Sequence, residues 1–249
     1  DGRKVFAIPP FQRSYAWGER QLNDFATDFE NQVMNKAYFF GTILFRDAGK
    51  DAGYEIIEIV DGQQRMTTLI MYLRLILERL KAAGEDTNLL YNTFIRYFGR
   101  FKLKLQQEDN QFFEDYILQD HDGSSMVKTP AQKRLWTARQ ILQLRVAGYS
   151  LEKIKELLDK VDRTRVLIYS VQDNAEATLI FEVTNDRGKL LSNLEKIKAF
   201  LMHKTYLSSV DAEHDLASIQ NHFVNIYRDL EPILERHKIL EDPILQYHY

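Results

Sequence analysis

The chain has 249 residues, enough for one or two domains that each bury a core. It contains no cysteine, which excludes disulfides, thiolate metal sites and cysteine nucleophiles and fits the expected cytoplasmic, reducing setting, although many exported proteins also lack cysteine. Lys and Arg number 33 against 36 Asp and Glu, a net charge of −3, so no global basic field can hold nucleic acid and any such contact needs a local patch.

In chain order, Val5–Tyr15 reads as an extended opening segment, because Pro9 and Pro10 forbid a helix and keep Ile8 extended. Glu19–Met34 carries helical spacing through Leu22, Phe25, Phe29 and Val33. Ala37–Arg46 (AYFFGTILFR) is aromatic and β-branched and reads as a strand. Asp47–Gly53 reads as a turn, and Tyr54–Val60 (YEIIEIV) as the second strand of a hairpin. Met66–Leu80 is apolar nearly all round, the pattern of a helix buried on most sides.

The second half reads as mostly helical. Asn88–Lys104 mixes aromatic and basic residues, Asn110–Leu118 suits a short helix, and the polar His121–Thr129 suits a linker. Thr129–Ala147 and Ser150–Val161 read as helices, with Glu152 well placed in a first turn. Val166–Val171 reads as a short buried strand. Ala175–Val183 and Ser192–Tyr206 read as helices around the loop Thr184–Leu191, and a last helix spans Asp211–Leu230, ended with the help of Pro232. The fold class is therefore α+β. No apolar run reaches the ~18 residues of a membrane span. The chain starts at Asp1 without a methionine and reads as a piece of a longer protein.

Between the second strand and the apolar helix stands Asp61–Arg65, DGQQR. Gly62 permits a sharp turn or a close ligand approach. The first amides of the following helix lack intrahelical partners and sit at the positive end of its dipole, a natural anion site. Arg65 offers a two-pronged donor for phosphate, and Gln63 and Gln64 donate and accept without charge. Asp61 suits a divalent cation or a water, and Thr67 and Thr68 add hydroxyls one turn in. The same residues equally suit a plain turn, with Asp61 as a helix cap and Arg65 in a surface ion pair. Two further segments carry polar groups of interest: Gln12 and Arg13 after the double proline, and Asn185, Asp186, Arg187 and Gly188 in a loop whose Asn and Gly also suit ordinary helix termination.

Together, IPPFQRSYAW, FFGTILF with EIIEIVDGQQRMTTL, and IFEVTNDRGKLLSNLEKIKAFLM resemble the N-terminal domain of GmrSD-type restriction endonucleases, from about Val5 to Tyr206. The resemblance implies a small mixed sheet similar to the ParB and sulfiredoxin core (1–84), a helical region (85–164), a strand–helix–loop–helix return to the site (165–206) and a helical tail (207–249). It implies nucleoside triphosphate binding and Mg²⁺-assisted hydrolysis at the DGQQR motif, with Asp61 as metal ligand and Asp61, Gln64 and Arg65 as the catalytic group. Gln12, Arg13, Gly62, Gln63, Thr67, Thr68, Asn185 and Arg187 are then expected to line the nucleotide. The implied partners are modified DNA, met through the full-length protein, and an HNH-type nuclease domain or partner chain.

His121, His203, His214, His222, His237 and His248 are scattered and form no HNH pattern, so a nuclease is expected outside this chain. No P-loop, GxGxxG, HExxH or GxSxG motif occurs. A second reading is a nucleotide- or DNA-binding module that hydrolyses nothing. It draws on Arg96, Arg100, Lys102 and Lys104 interleaved with Tyr97, Phe98 and Phe101, and on Lys128, Lys133, Arg134 and Arg139; such patterns suit exposed bases and also solvated faces. A third is an assembly role for the acidic Asp211–Tyr249 stretch.

Overall fold

The computed structural model describes residues 3–9, 12–31, 39–119, 121–171, 193–209 and 211–237. The chain divides into two compact units, one of residues 1–8 and 14–169, the other of 9–13 and 170–249.

The first unit is built on a mixed sheet. Its strands are β1 (Lys4–Ala7), β2 (Phe39–Asp51), β3 (Tyr54–Asp61), β6 (Leu103–Lys104) and β7 (Arg165–Val171), in the order β6-β1-β3-β2-β7. β1 runs parallel to β3 and to β6, while β2 and β3 form the expected antiparallel hairpin. The hairpin turn is tighter than the glycines at 49 and 53 suggest. Ala52 and Gly53, at φ 47° and 81°, make a two-residue turn whose hand matches the strand twist. The strand therefore continues through Asp47–Asp51 where the sequence suggests a turn, and a register shift between Asp47 and Lys50 accommodates Gly49.

A second departure lies in Asn88–Lys104. Only Asn88–Phe94 is helical (α3); then come a small hairpin, β4 (Arg96–Tyr97) and β5 (Arg100–Phe101), and the edge strand β6. The aromatic residues of that stretch favour strands once a turn is available at Phe98–Gly99, and propensity yields to sheet pairing. The 85–164 region thus contributes a strand to the main sheet and is not wholly helical. A third departure is β7. It forms as read, but Val166, Leu167 and Ile168 are exposed, not buried. An apolar run specifies a strand without specifying cover, and β7 lies at the sheet's edge.

Helices pack over this sheet. α1 (Glu19–Glu30) buries Leu22, Phe25, Ala26 and Phe29. α2 (Gln63–Ala82) is buried along most of its length, from Ile70 to Leu80. α4 (Gln107–Phe112) runs on into a π-helical turn, Phe113–Leu118, whose last carbonyl, Leu118, receives a 2.7 Å bond from Arg74 Nε of α2. α5 (Pro130–Ala147) starts at a Thr129 cap and α6 (Leu151–Asp162) at a Ser150 cap, and both pack on α2. The polar stretch expected as a linker, His121–Thr129, lies within the first unit and divides nothing.

The C-terminal end of α1 is fastened to α5 and α6. Lys160 Nζ caps the Glu30 carbonyl at 2.7 Å, a cation at a helix C-terminus. The Glu30 carboxylate accepts from Arg145, whose Nη2 lies 2.9 Å from Oε2, and from the Tyr149 hydroxyl. Arg145 also reaches Thr27 at 2.8 Å and Asn23 at 3.2 Å.

In the second unit, α7 (Asn193–Ser208) packs against α8 (Ala212–His237) through Met202 and Leu216. Asp211 accepts from the His214 amide and caps α8. Pro232 does not end this helix: it removes one ladder bond, and the helix continues to His237. The helix expected over Ala175–Val183 falls outside the described residues.

The Glu30 cluster makes a pH prediction. Burial raises the Glu30 carboxyl, but hydrogen bonds from Arg145 and Tyr149 and the nearby cations outweigh it and hold the group below its ordinary 4.5. A carboxylate depressed on folding contributes stability that is present above 4.5 and lost as pH falls through the folded value. Glu30→Gln should therefore be less stable than wild type at pH 7, and the gap should narrow below pH 4.5 in urea titrations.

Candidate functional site

The passage from β3 to α2 follows from one glycine. Asp61 ends β3, Gly62 adopts a left-handed φ of 90°, and Gln63 begins the helix. A Cβ at Gly62 would meet Ile43 Cγ1 at 3.2 Å, so the close packing of β2 as well as the turn requires glycine. The first closed helical bond runs from the Met66 amide to the Gly62 carbonyl at 2.9 Å, and the cap position itself is a glycine with no side chain to offer. The Gln63, Gln64 and Arg65 amides are thus the helix's first turn, with the positive dipole end beside Asp61. Asp61 is half-buried.

The side chains of that turn have specific partners. Gln64, buried, clasps the backbone of the opening segment: its Nε2 donates to the Ser14 carbonyl at 3.1 Å, and its Oε1 accepts from the Ala16 amide at 2.8 Å. One turn on, the Thr68 hydroxyl donates to the Gln64 carbonyl and meets the Tyr15 hydroxyl, both at 2.8 Å. Burial raises the Tyr15 phenol, and its bond to Thr68 lowers it only in part, so the pair stays neutral. Ser14 Oγ reaches Gln106 at 3.1 Å and Arg134 reaches the Tyr15 carbonyl at 3.3 Å, which fixes the segment from other sides. Thr67 and Thr68 are fully buried.

Arg65 grips β2. Its Nη1 donates to the Phe40 carbonyl and its Nη2 to the Thr42 carbonyl, each at 2.9 Å. Between those carbonyls stands Gly41, with φ 104°. A Cβ there would lie 1.9 Å from Arg65 Nη1. The guanidinium therefore lies against bare backbone, and two of its five N–H groups hold the strand.

Gln63, Gln64 and Arg65 are brought to one helix end beside Asp61 and Gly62. Gln12 and Arg13 belong to the second unit, where both are half-buried and the Gln12 amide donates to the Pro9 carbonyl at 3.1 Å. Asn185 and Arg187 lie outside the described residues. Gly41, Ser14 and Ala16 were not singled out from sequence. A glycine inside a strand is the one signal that marks a close approach, and FFGTILF contains it.

The model of the GmrSD restriction endonuclease N-terminal domain matches residues 1–202. The chain belongs to the GmrSD restriction endonuclease family. Among curated proteins no relative matches. No helix among the described residues of this GmrSD domain is long and apolar enough to cross a membrane.

Mg²⁺ fits this site in one way. Among the described residues no group of three or more His, Cys, Asp or Glu side chains could cage a metal. Mg²⁺ is commonly held by one or two carboxylates together with waters and substrate phosphates. Asp61, a carboxylate beside a helix N-terminus, suits an ion that arrives with a polyphosphate. His214, His222 and His237 are exposed on α8, and His121 is exposed in the first unit.

The Arg65 grip makes a stability prediction. Gly41 and Gly49 share a positive φ, but a Cβ at Gly49 meets nothing within 4 Å. Gly49→Ala should cost about 1–2 kcal/mol from its left-handed backbone alone. Gly41→Ala should cost at least about 2 kcal/mol more in urea unfolding, because it also dislodges bonds from a charged donor. In an Arg65→Ala background that difference should vanish.

Proposed function

We propose that this GmrSD domain binds a nucleoside triphosphate at the N-terminal end of α2 and hydrolyses it, and that its nucleotide state gates a DNA-cutting HNH-type domain or partner chain of the restriction system. The observation that carries this reading is the β3–Gly62–α2 passage, which sets the Asp61 carboxylate beside the positive end and first-turn amides of α2. Phosphates suit the first-turn amides, and phosphoryl transfer asks mainly for positioning and charge neutralisation. Mg²⁺, held by Asp61 and phosphate oxygens, would supply part of that neutralisation.

In this reading the motif's labour is divided. Asp61 holds the ion or orients water, and Gly62 lets the backbone approach. Gln64 is a positioning residue in this reading, since both ends of its amide hold Ser14 and Ala16. Arg65 fixes β2 with two N–H groups, and phosphate in this reading takes up its remaining donors. Thr67 and Thr68 support the helix from the interior. Gln12, Arg13, Asn185 and Arg187 keep the roles that the family resemblance implies, as nucleotide contacts. Modified DNA is the target of the full-length protein in this reading.

One observation favours the alternative, a binding module without hydrolysis: the side chains of Gln64 and Arg65 are tied to backbone, which leaves few groups for chemistry.

Phosphate release from all four nucleoside triphosphates with Mg²⁺, with and without DNA, tests the proposal. Wild type should release phosphate, and Asp61→Asn should lose at least roughly tenfold in turnover at an unchanged melting temperature, with partial repair at raised Mg²⁺. Calorimetric binding without release would select the non-hydrolysing module. Absence of nucleotide binding would refute both nucleotide readings and leave only a DNA-binding module.

A further inference from the structure

Ser14, Tyr15 and Ala16 pass between β1 and α1 with no strand or helix of their own, yet side chains from far along the chain hold their backbone. Gln64 takes the Ser14 carbonyl and the Ala16 amide. Arg134 of α5 takes the carbonyl between them, that of Tyr15, at 3.3 Å. An ordinary surface loop leaves such groups to water. Here two long side chains give up rotamer freedom to hold three successive residues in an irregular path. The Tyr15 side chain is buried, and its hydroxyl meets Thr68 one turn into α2.

α5 is fixed at the end that carries Arg134. Pro130 stands in its first turn, and Thr129 Oγ1 accepts from the Gln132 amide and donates to Asp109, each at 3.1 Å. Gln132 Oε1 accepts from the Lys128 amide at 2.8 Å. Arg134 and Arg145 stand about three turns apart on this helix, so they share one face of it, with buried Ala138 and Leu142 between. Arg145 fastens α1 at Asn23, Thr27 and Glu30. One helix thus grips the chain just before α1 and again along α1. The first grip, through Tyr15, backs the contacts by which Gln64 and Thr68 hold the opening segment to the first turns of α2.

We propose that Arg134 is a positioning residue for the phosphate site at α2, acting through the Tyr15 carbonyl and the Gln64 clasp without touching the ligand. α5 lies outside the IPPFQR, DGQQR and TNDRG segments, and sequence suggests Arg134 only as one member of a basic patch. The phosphate site itself rests on the nucleotide reading above, whereas the brace stands without it.

Arg134→Met keeps an unbranched side chain and removes the donors. In the full chain without nucleotide, the Ala16 and Met66 amides of this variant should exchange roughly fivefold faster, although their own partners are Gln64 and the Gly62 carbonyl. The Ile76 amide should keep its rate. With Mg²⁺ and non-hydrolysable analogues of the four nucleoside triphosphates, calorimetric affinity should fall roughly fivefold. Arg134→Lys, which keeps a donor for the Tyr15 carbonyl, should restore both readouts. Gly49→Ala, destabilising through its backbone alone, should bind as wild type does, which separates positioning from lost stability. Gln64→Met should cost less affinity in the Arg134→Met background than in wild type, since both act through Ser14–Ala16. Unchanged exchange at Ala16 and Met66 in Arg134→Met would overturn the brace. Faster exchange with unchanged affinity for an analogue that wild type binds would overturn its link to the site. Failure of wild type to bind any analogue would refute the nucleotide reading, and exchange would still decide the brace.

Discussion

The two bonds from Arg65 to the carbonyls on either side of Gly41 tie the buried helix of the first unit to its longest strand. They form because three local choices agree. Gly41 removes the Cβ that would otherwise occupy the guanidinium's place. Gly62 turns the chain so that α2 starts directly after β3, the strand paired with β2. Arg65, in the first helical turn, then reaches across to the neighbouring strand. A planar donor bonding two carbonyls is the pairing that lysine, with its single ammonium, copies poorly. Gln64 performs the same service for the segment at Ser14–Ala16, and Thr68 with Tyr15 closes it one turn later.

This arrangement separates what the helix start does inward from what it offers outward. Inward, side chains of polar type make hydrogen bonds to backbone, so the turn is held on two sides. The positive dipole end and the first-turn amides stand beside Asp61, where the proposed phosphate site lies. A site for phosphate benefits from such fixing, because catalysis by positioning depends on a first turn that does not move when the ligand arrives. Membership of the GmrSD family covers residues 1–202 and so includes all of the first unit.

Much of the fold was legible because its signals were local and strong. The apolar run after DGQQR, the Leu22–Phe29 spacing of α1, and the Thr129 and Ser150 caps each identify an element without help from its neighbours. The misses share a different cause. The Ala52–Gly53 and Phe98–Gly99 turns place a residue with a Cβ in a left-handed conformation that propensity disfavours, so the strands around them are longer or more numerous than composition suggests. The exposure of β7 depends on its place at the edge of the sheet, which its own residues do not encode. At the candidate site, residue types announced that Gln64 and Arg65 would hydrogen-bond, but not to which partners. Those partners are carbonyls and an amide, which any residue possesses, and only the interior glycine of FFGTILF hinted at them.

Amide hydrogen exchange at Ala16 tests most directly whether the first turn of α2 fastens the rest of the unit. Gln64→Met keeps the side chain's bulk and removes both of its hydrogen bonds to the Ser14–Ala16 backbone. The Ala16 amide, which donates to Gln64 at 2.8 Å, should then exchange on the order of tenfold faster, the effect of losing about one buried hydrogen bond, while the Ile76 amide in the body of α2 keeps its rate. Unchanged protection at Ala16 in that variant would contradict the account.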